Sequence, residues 1–174
     1  MLGCYSSLAV ANWLLDRFDD EKRPCTQLQI NKLVFIAHGW HLGAYPDLTV
    51  GLIDEPVFAW RLGPVIPTIR QEFRDFGSSP ITRRATTWID NFEIYTPAIE
   101  PEHYDSLFLK WIWKNYGHLD GVALMQLTHK EGSPWSTVTK NGTDIGHNKI
   151  IPDETIQVYY RGLFEHAIRQ RDQH

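Results

Sequence analysis

Residues 26–40 read TQLQINKLVFIAHGW, and this stretch decides the fold. Thr26 followed three positions later by Gln29 is a capping-box signature, so a helix starts there. Ile30, Leu33, Val34, Phe35, Ile36, Ala37 and Trp40 then put apolar side chains on most sides of that helix. A surface helix keeps a polar face, so this one belongs at the centre of a core. Pro46-Asp47 ends it.

On the N-terminal side, Ser6 and Ser7 precede Leu8, Ala11, Leu14, Leu15 and Phe18 at helical spacing, and the pattern dissolves at Asp19-Asp20 before Pro24. On the C-terminal side, Leu48 to Leu62 lacks a clear period, and Pro56 within its short apolar run suggests an edge strand or an extended connection. Gly63-Pro64-Val65-Ile66-Pro67 reads as the opening of a helix with the stripe Ile66, Ile69, Phe73 and Phe76, and Gly77 as its stop. Thr86 to Ile89 and Phe92 to Tyr95 flank Asp90-Asn91, the pattern of a small hairpin. Helical patterns return from Pro101-Glu102, with Tyr104, Phe108, Trp111 and Ile112 on one side and Gly117 after the end, and then from Asp120 to Thr128. Ser133-Pro134-Trp135 has the form of an N-cap, an N1 proline and an aromatic, and Asn141-Gly142 closes that short turn. A polar loop leads from Gly142 to Pro152, and Asp153 caps a last helix carrying Ile156, Tyr159, Tyr160, Leu163, Phe164 and Ala167. The expected fold is mainly α, a compact single domain over residues 1–174 with six or seven helices and a small antiparallel β element.

Composition sets limits on function. With 174 residues, 43% of them hydrophobic and 22% charged, the chain suits one soluble globular domain. A formal charge of -4 and a pI near 6.0 speak against a general nucleic-acid binder, which draws affinity from clustered Lys and Arg. Cys4 and Cys25 form no CxxC pair, no secretory leader opens the chain, and no apolar run approaches the roughly 20 residues that span a bilayer. A cytoplasmic protein with reduced thiols and no membrane partner is expected.

Standard catalytic signatures are missing: there is no GxSxG, Walker loop, GxGxxG or HExxH. His38 and His41, spaced i and i+3 on a helix, lack a third metal ligand nearby. A dyad of Cys25 and His129 needs a spatial proximity that sequence does not supply. No catalytic residue, cofactor or metal is therefore assigned. Gln27, Asn31, His38 and His41 share one helical face, where they either satisfy buried loop groups or line a partner groove. Arg61, Arg70, Arg74, Arg83 and Arg84 cluster in one third of the chain, either facing an acidic partner or solvating a surface. Trp60 stands before Gly63-Pro64, where a glycine at positive φ followed by a fixed proline φ sets an angle between an extended segment and a helix. Trp135, at a Ser-Pro helix start, is placed to project as a rigid anchor.

Leu28 to Trp40, Glu55 to Pro67 with Trp60 ahead of Gly63-Pro64-Val65, Leu124 to His129, Ser133-Pro134-Trp135 and the helix from Ile151-Pro152 through Tyr159-Tyr160 carry a resemblance in their order and spacing. Together they resemble the SocA-like, or Panacea, antitoxin domain of bacterial and phage toxin–antitoxin systems. Asn31 and His38 depart from it, the first standing where the family helix is commonly basic or apolar and the second where Gln is usual. The resemblance implies a mainly helical intracellular protein that binds and neutralises a toxin encoded beside it. Some members act as adaptors that deliver the toxin to an ATP-dependent protease. Others carry a helix-turn-helix region for operator DNA, for which this chain has no residues left over, so no direct nucleic-acid partner is expected. The expected toxin-binding surface combines His38, Trp60, Arg61, Arg70, Thr128, His129 and Trp135. Two other readings remain: a phage or prophage regulator that binds a host factor, and a small helical enzyme.

Overall fold

Two helices open the chain, α1 (Ser7–Asp20) and α2 (Gln27–Ala44), in a computed structural model that describes residues 4–47, 51–89, 93–100, 103–146 and 148–171. Ser6 caps α1 by accepting from the Ala9 amide. At α2, Thr26 accepts from the Gln29 amide while the Gln29 side chain accepts from the Thr26 amide, so two orphan donors are satisfied reciprocally. All but two residues of α2, Leu28 and Ala44, are buried. The expectation of a central helix holds.

Two short strands follow, β1 (Val57–Trp60) and β2 (Gly63–Val65), then helix α3 (Pro67–Glu72) and a 3-10 turn at Arg74–Phe76. Here the structure corrects two expectations. Gly63-Pro64-Val65 does not open the helix; it forms β2, and the helix begins at Pro67 with Ile66 as its N-cap. Nor is the segment at Val57 an edge strand: β1 is the middle strand of a three-stranded antiparallel sheet ordered β2-β1-β5, and Pro56 falls just before it, where no ladder amide is needed. The third strand, β5 (Ile150–Ile151), lies in the segment read as polar loop.

The hairpin is present as β3 (Thr87–Ile89) and β4 (Glu93–Tyr95), antiparallel with Trp88 opposite Ile94. Its turn at Asp90-Asn91 lies outside the described residues, as does the Pro101-Glu102 helix start. Helix α4 (Tyr104–Tyr116) is capped by His103 and buries Asp105, Ser106, Leu109 and Ile112, leaving Tyr104 and Trp111 exposed rather than on one inner face with Ile112. Three helices complete the chain, α5 (Gly121–Thr128), α6 (Pro134–Val138) and α7 (Asp153–Arg171). Seven α-helices and the small sheet, among the described residues, make the fold mainly α.

Around α2 the other elements pack, α7 most extensively. A Cβ on Gly43 would sit 2.6 Å from the Tyr160 backbone, so the two helices cross with nothing between them at that point. Trp40 closes the same interface edge-on against Tyr160 and donates from Nε1 to the Tyr116 hydroxyl at 2.8 Å. With α2 held in this way, its first two turns face the β1–β2 hairpin, and that junction carries the candidate site.

Candidate functional site

The junction is built by two consecutive side chains of α2. The Asn31 amide accepts from the Ile66 backbone N–H at 2.8 Å and donates to the Ile66 carbonyl at 3.4 Å, clasping the N-cap of α3. Lys32, wholly buried at 0% exposure, donates from Nζ to the Pro64 carbonyl at 2.8 Å. Burial with a single carbonyl for company disfavours the ammonium and lowers its pKa to about 7.

Beyond that clasp the chain turns between β1 and β2 through Arg61 and Leu62, with Trp60 paired to Gly63. Gly63 has φ +101°, and a Cβ there would lie 2.8 Å from His129 Cε1, 2.9 Å from Lys32 Nζ and 3.1 Å from Thr128 Oγ1. Only glycine suits both the backbone and the space. The expected positive φ is present, although the angle it sets lies between two strands rather than between a strand and a helix.

Behind this turn stands a buried support. Trp135, 5% exposed, donates from Nε1 to the Trp60 carbonyl at 2.8 Å, and its ring lies 3.9 Å from that of His129. His129 Nδ1 contacts the Met125 carbonyl at 2.7 Å, which makes Nδ1 the protonated nitrogen, and the Thr128 hydroxyl donates to the same carbonyl at 2.9 Å. Ser133 donates from Oγ to the Thr128 carbonyl at 2.8 Å and caps α6 through the Ser136 amide. Thr128, His129 and Trp135 do converge, as the sequence suggested, but as the back of the β1–β2 turn. Trp135 is not a projecting anchor, because its N–H and its ring face are both used internally.

In front of the turn lies an open groove of about 830 Å³. The first turns of α2 form its floor, Trp60, Arg61 and Leu62 one wall, Arg70 of α3 another, and the start of α5 at Asp120 and Val122 the far side. Leu62 is 51% exposed, an apolar side chain held out on the tip of a tight turn. Among the described residues neither Arg61 nor Arg70 forms an ion pair, whereas Arg83 is held by Glu72, Arg84 by Asp16 and Asp19, and Arg74 by Asp75. The basic cluster therefore separates into three engaged guanidinium groups and two that face the groove.

His38 leaves the expected set. It is fully buried, accepts from the Ile53 amide at Nδ1 and places Nε2 3.2 Å from Asp153 at the start of α7. It satisfies buried loop and helix-end groups, as does Asn31, while its stripe-mate His41 packs against the Tyr45 and Phe108 rings with Nε2 3.8 Å from Asp105. Burial lowers the His41 pKa to about 4, so the ring is neutral near pH 7. Two histidines with separate carboxylate neighbours do not share an ion, and no group of three or more metal-ligating side chains occurs among the described residues. The Cys25 thiol is pushed up to about 12 by burial, which withholds the thiolate that a nucleophile requires. Sequence reasoning missed Lys32 and Leu28. A single lysine within a helix apolar on nearly every side was the available signal for the first; Leu28, merely one apolar residue among many, carried none.

The family model described as Antitoxin SocA-like, Panacea domain, matches residues 30–136, a span that takes in Asn31, Lys32, the β1–β2 turn, Arg70 and Trp135. Antitoxin SocA of Caulobacter vibrioides (strain NA1000 / CB15N) is 28% identical over 155 residues, covering 88% of this chain and 81% of that protein. No solved structure matches the chain. No helix among the described residues is long and apolar enough to cross a membrane.

Proposed function

The chain belongs to the Antitoxin SocA-like, Panacea domain family, and from that premise we propose that it is an antitoxin that neutralises a cognate toxin by direct protein–protein binding, without catalysis. Family membership over residues 30–136 is the observation that carries this reading. The groove supports it with what a binding surface needs: an exposed apolar tip, two guanidinium groups without an ion pair among the described residues and a half-buried Trp on a rigid, well-packed base. The buried, protonated Cys25 and the neutral, enclosed His41 suit a binder better than an enzyme.

Co-expression tests it. The product of the neighbouring reading frame is induced in a host lacking both genes, with and without this protein, while growth and toxin level are followed. Restored growth at an unchanged toxin level is the expected result and marks blockade by binding. Restored growth with toxin lost only when an ATP-dependent protease is present replaces blockade by delivery to that protease. A toxin that stays lethal beside abundant soluble protein overturns the antitoxin reading.

A further inference from the structure

We infer that the groove between the start of α2, the β1–β2 turn and α3 docks an extended acidic and apolar segment of the toxin, a reading that rests on the antitoxin assignment above. The fixed charges of its lining are lopsided: Arg61 and Arg70 against Asp120 alone, in a chain whose formal charge is -4. Asp120 is already engaged, its carboxylate accepting from the Ala123 amide at 2.8 Å. Two guanidinium groups gathered on one concave surface of an otherwise acidic protein select a negatively charged partner, and apolar walls strengthen that field.

Two buried donors support the same assignment independently of the surface charges. The Gln27 side chain is 8% exposed and lines the groove, yet its Nε2 donates to nothing among the described residues. Buried amide donors are rarely left in that state, because each unmade bond costs free energy. Lys32 lines the floor beside it with one carbonyl partner for three N–H groups. Both groups keep N–H donors beyond the acceptors they have among the described residues, and a carboxylate provides such acceptors. Leu28, Leu62 and Val122 then leave apolar ground beside the cations, suiting a segment in which acidic and apolar residues alternate. A nucleic-acid strand fits less well, since its phosphates would draw on a longer run of cations than this groove offers.

The test uses the full chain and overlapping 15-residue peptides that tile the neighbouring gene's product. Binding is read by fluorescence polarisation, and a single-stranded 20-nucleotide DNA and inorganic phosphate serve as competitors. The expected signal is confined to acidic, apolar-rich peptides. It falls at least tenfold in the double variant Arg61→Glu with Arg70→Glu, whose exposed positions leave the fold intact by circular dichroism, and at least fivefold in Lys32→Met. Replacing the peptide's Asp and Glu with Lys restores binding to the double Glu variant and not to wild type. Strongest binding by basic or uncharged peptides, acidic binding that the double variant leaves unmoved, displacement by phosphate or DNA at concentrations equal to the peptide's, or no peptide binding at all overturns the groove assignment. Each of those outcomes alongside cells that remain protected leaves the antitoxin reading standing, whereas unprotected cells remove that reading instead.

Discussion

Gly63 is the residue on which the site turns, because four features meet there: the β1–β2 turn, Lys32, His129 and Thr128. Its φ of +101° lies where a side chain is strained, and the space a Cβ would need is bounded by three side chains that are each held by a hydrogen bond. Gly63→Ala therefore combines backbone strain with overpacking, at a cost of about 3 kcal/mol. For a domain of this size that is a fall in Tm of roughly 10 °C, measured by circular dichroism; an alanine variant that melts with the wild type shows that the turn relaxes freely. The same residue shows what the sequence disclosed at this scale. A glycine before a proline announced a positive φ, and Trp60, Arg61 and Arg70 were singled out and do face the groove. His38, Thr128 and Trp135 were singled out too and turned inward. The polar atoms of His38 and Trp135 match groups on the loop at Ile53 and on β1 that only the folded chain brings near, while the Thr128 hydroxyl bonds back to Met125 in its own helix.

At the scale of elements, α2 organises everything around it, and its sequence said so. A capping box and an apolar surface on nearly all sides are local signals, readable without any partner. The strands were another matter. Gly63–Val65 and Ile150–Ile151 are too short to show a period of two, and Pro64 and Pro67 mimic a helix start. Their strand character comes from pairing with β1, a long-range fact. How α2 imposes order on that region is visible at Asn31, which holds both backbone groups of Ile66, the N-cap residue of α3 that makes no side-chain cap of its own. Asn31→Ala leaves the buried Ile66 amide without its partner, while the Ile66 carbonyl keeps the Arg70 amide, and opens a small void, for a loss of about 2 kcal/mol. Hydrogen exchange is the measurement that separates this from general loosening. The expected outcome is faster exchange concentrated at residues 66–73, with α7 unaffected beyond the global loss; uniform acceleration shows that Asn31 merely fills space.

For the whole molecule, the consequence of this architecture is a stability profile that leans toward alkaline pH. The central helix buries two ionisable groups that both prefer to be neutral, Lys32 with a pKa lowered to about 7 and His41 with one lowered to about 4. In the unfolded chain they titrate near 10.4 and 6.5. Between those values and the folded ones the unfolded state binds more protons, so stability rises with pH across both windows. Lys32 contributes a slope from pH 7 up to about 10, flat below 7, and worth about 2 kcal/mol between pH 7 and 8.5 at one proton per molecule. His41 contributes from about pH 4 to 6.5, where acidification forces a proton onto a ring enclosed by Tyr45, Phe108, His38 and Asp105, and the loss there is about 3 kcal/mol in total. Urea melts at pH 5, 7 and 8.5 check both windows, with Lys32→Met and His41→Leu as the separating variants. Lys32→Met removes the gain between pH 7 and 8.5 and leaves the acid slope, while His41→Leu does the reverse. A wild type equally stable at pH 7 and 8.5 means that Lys32 stays charged in the fold.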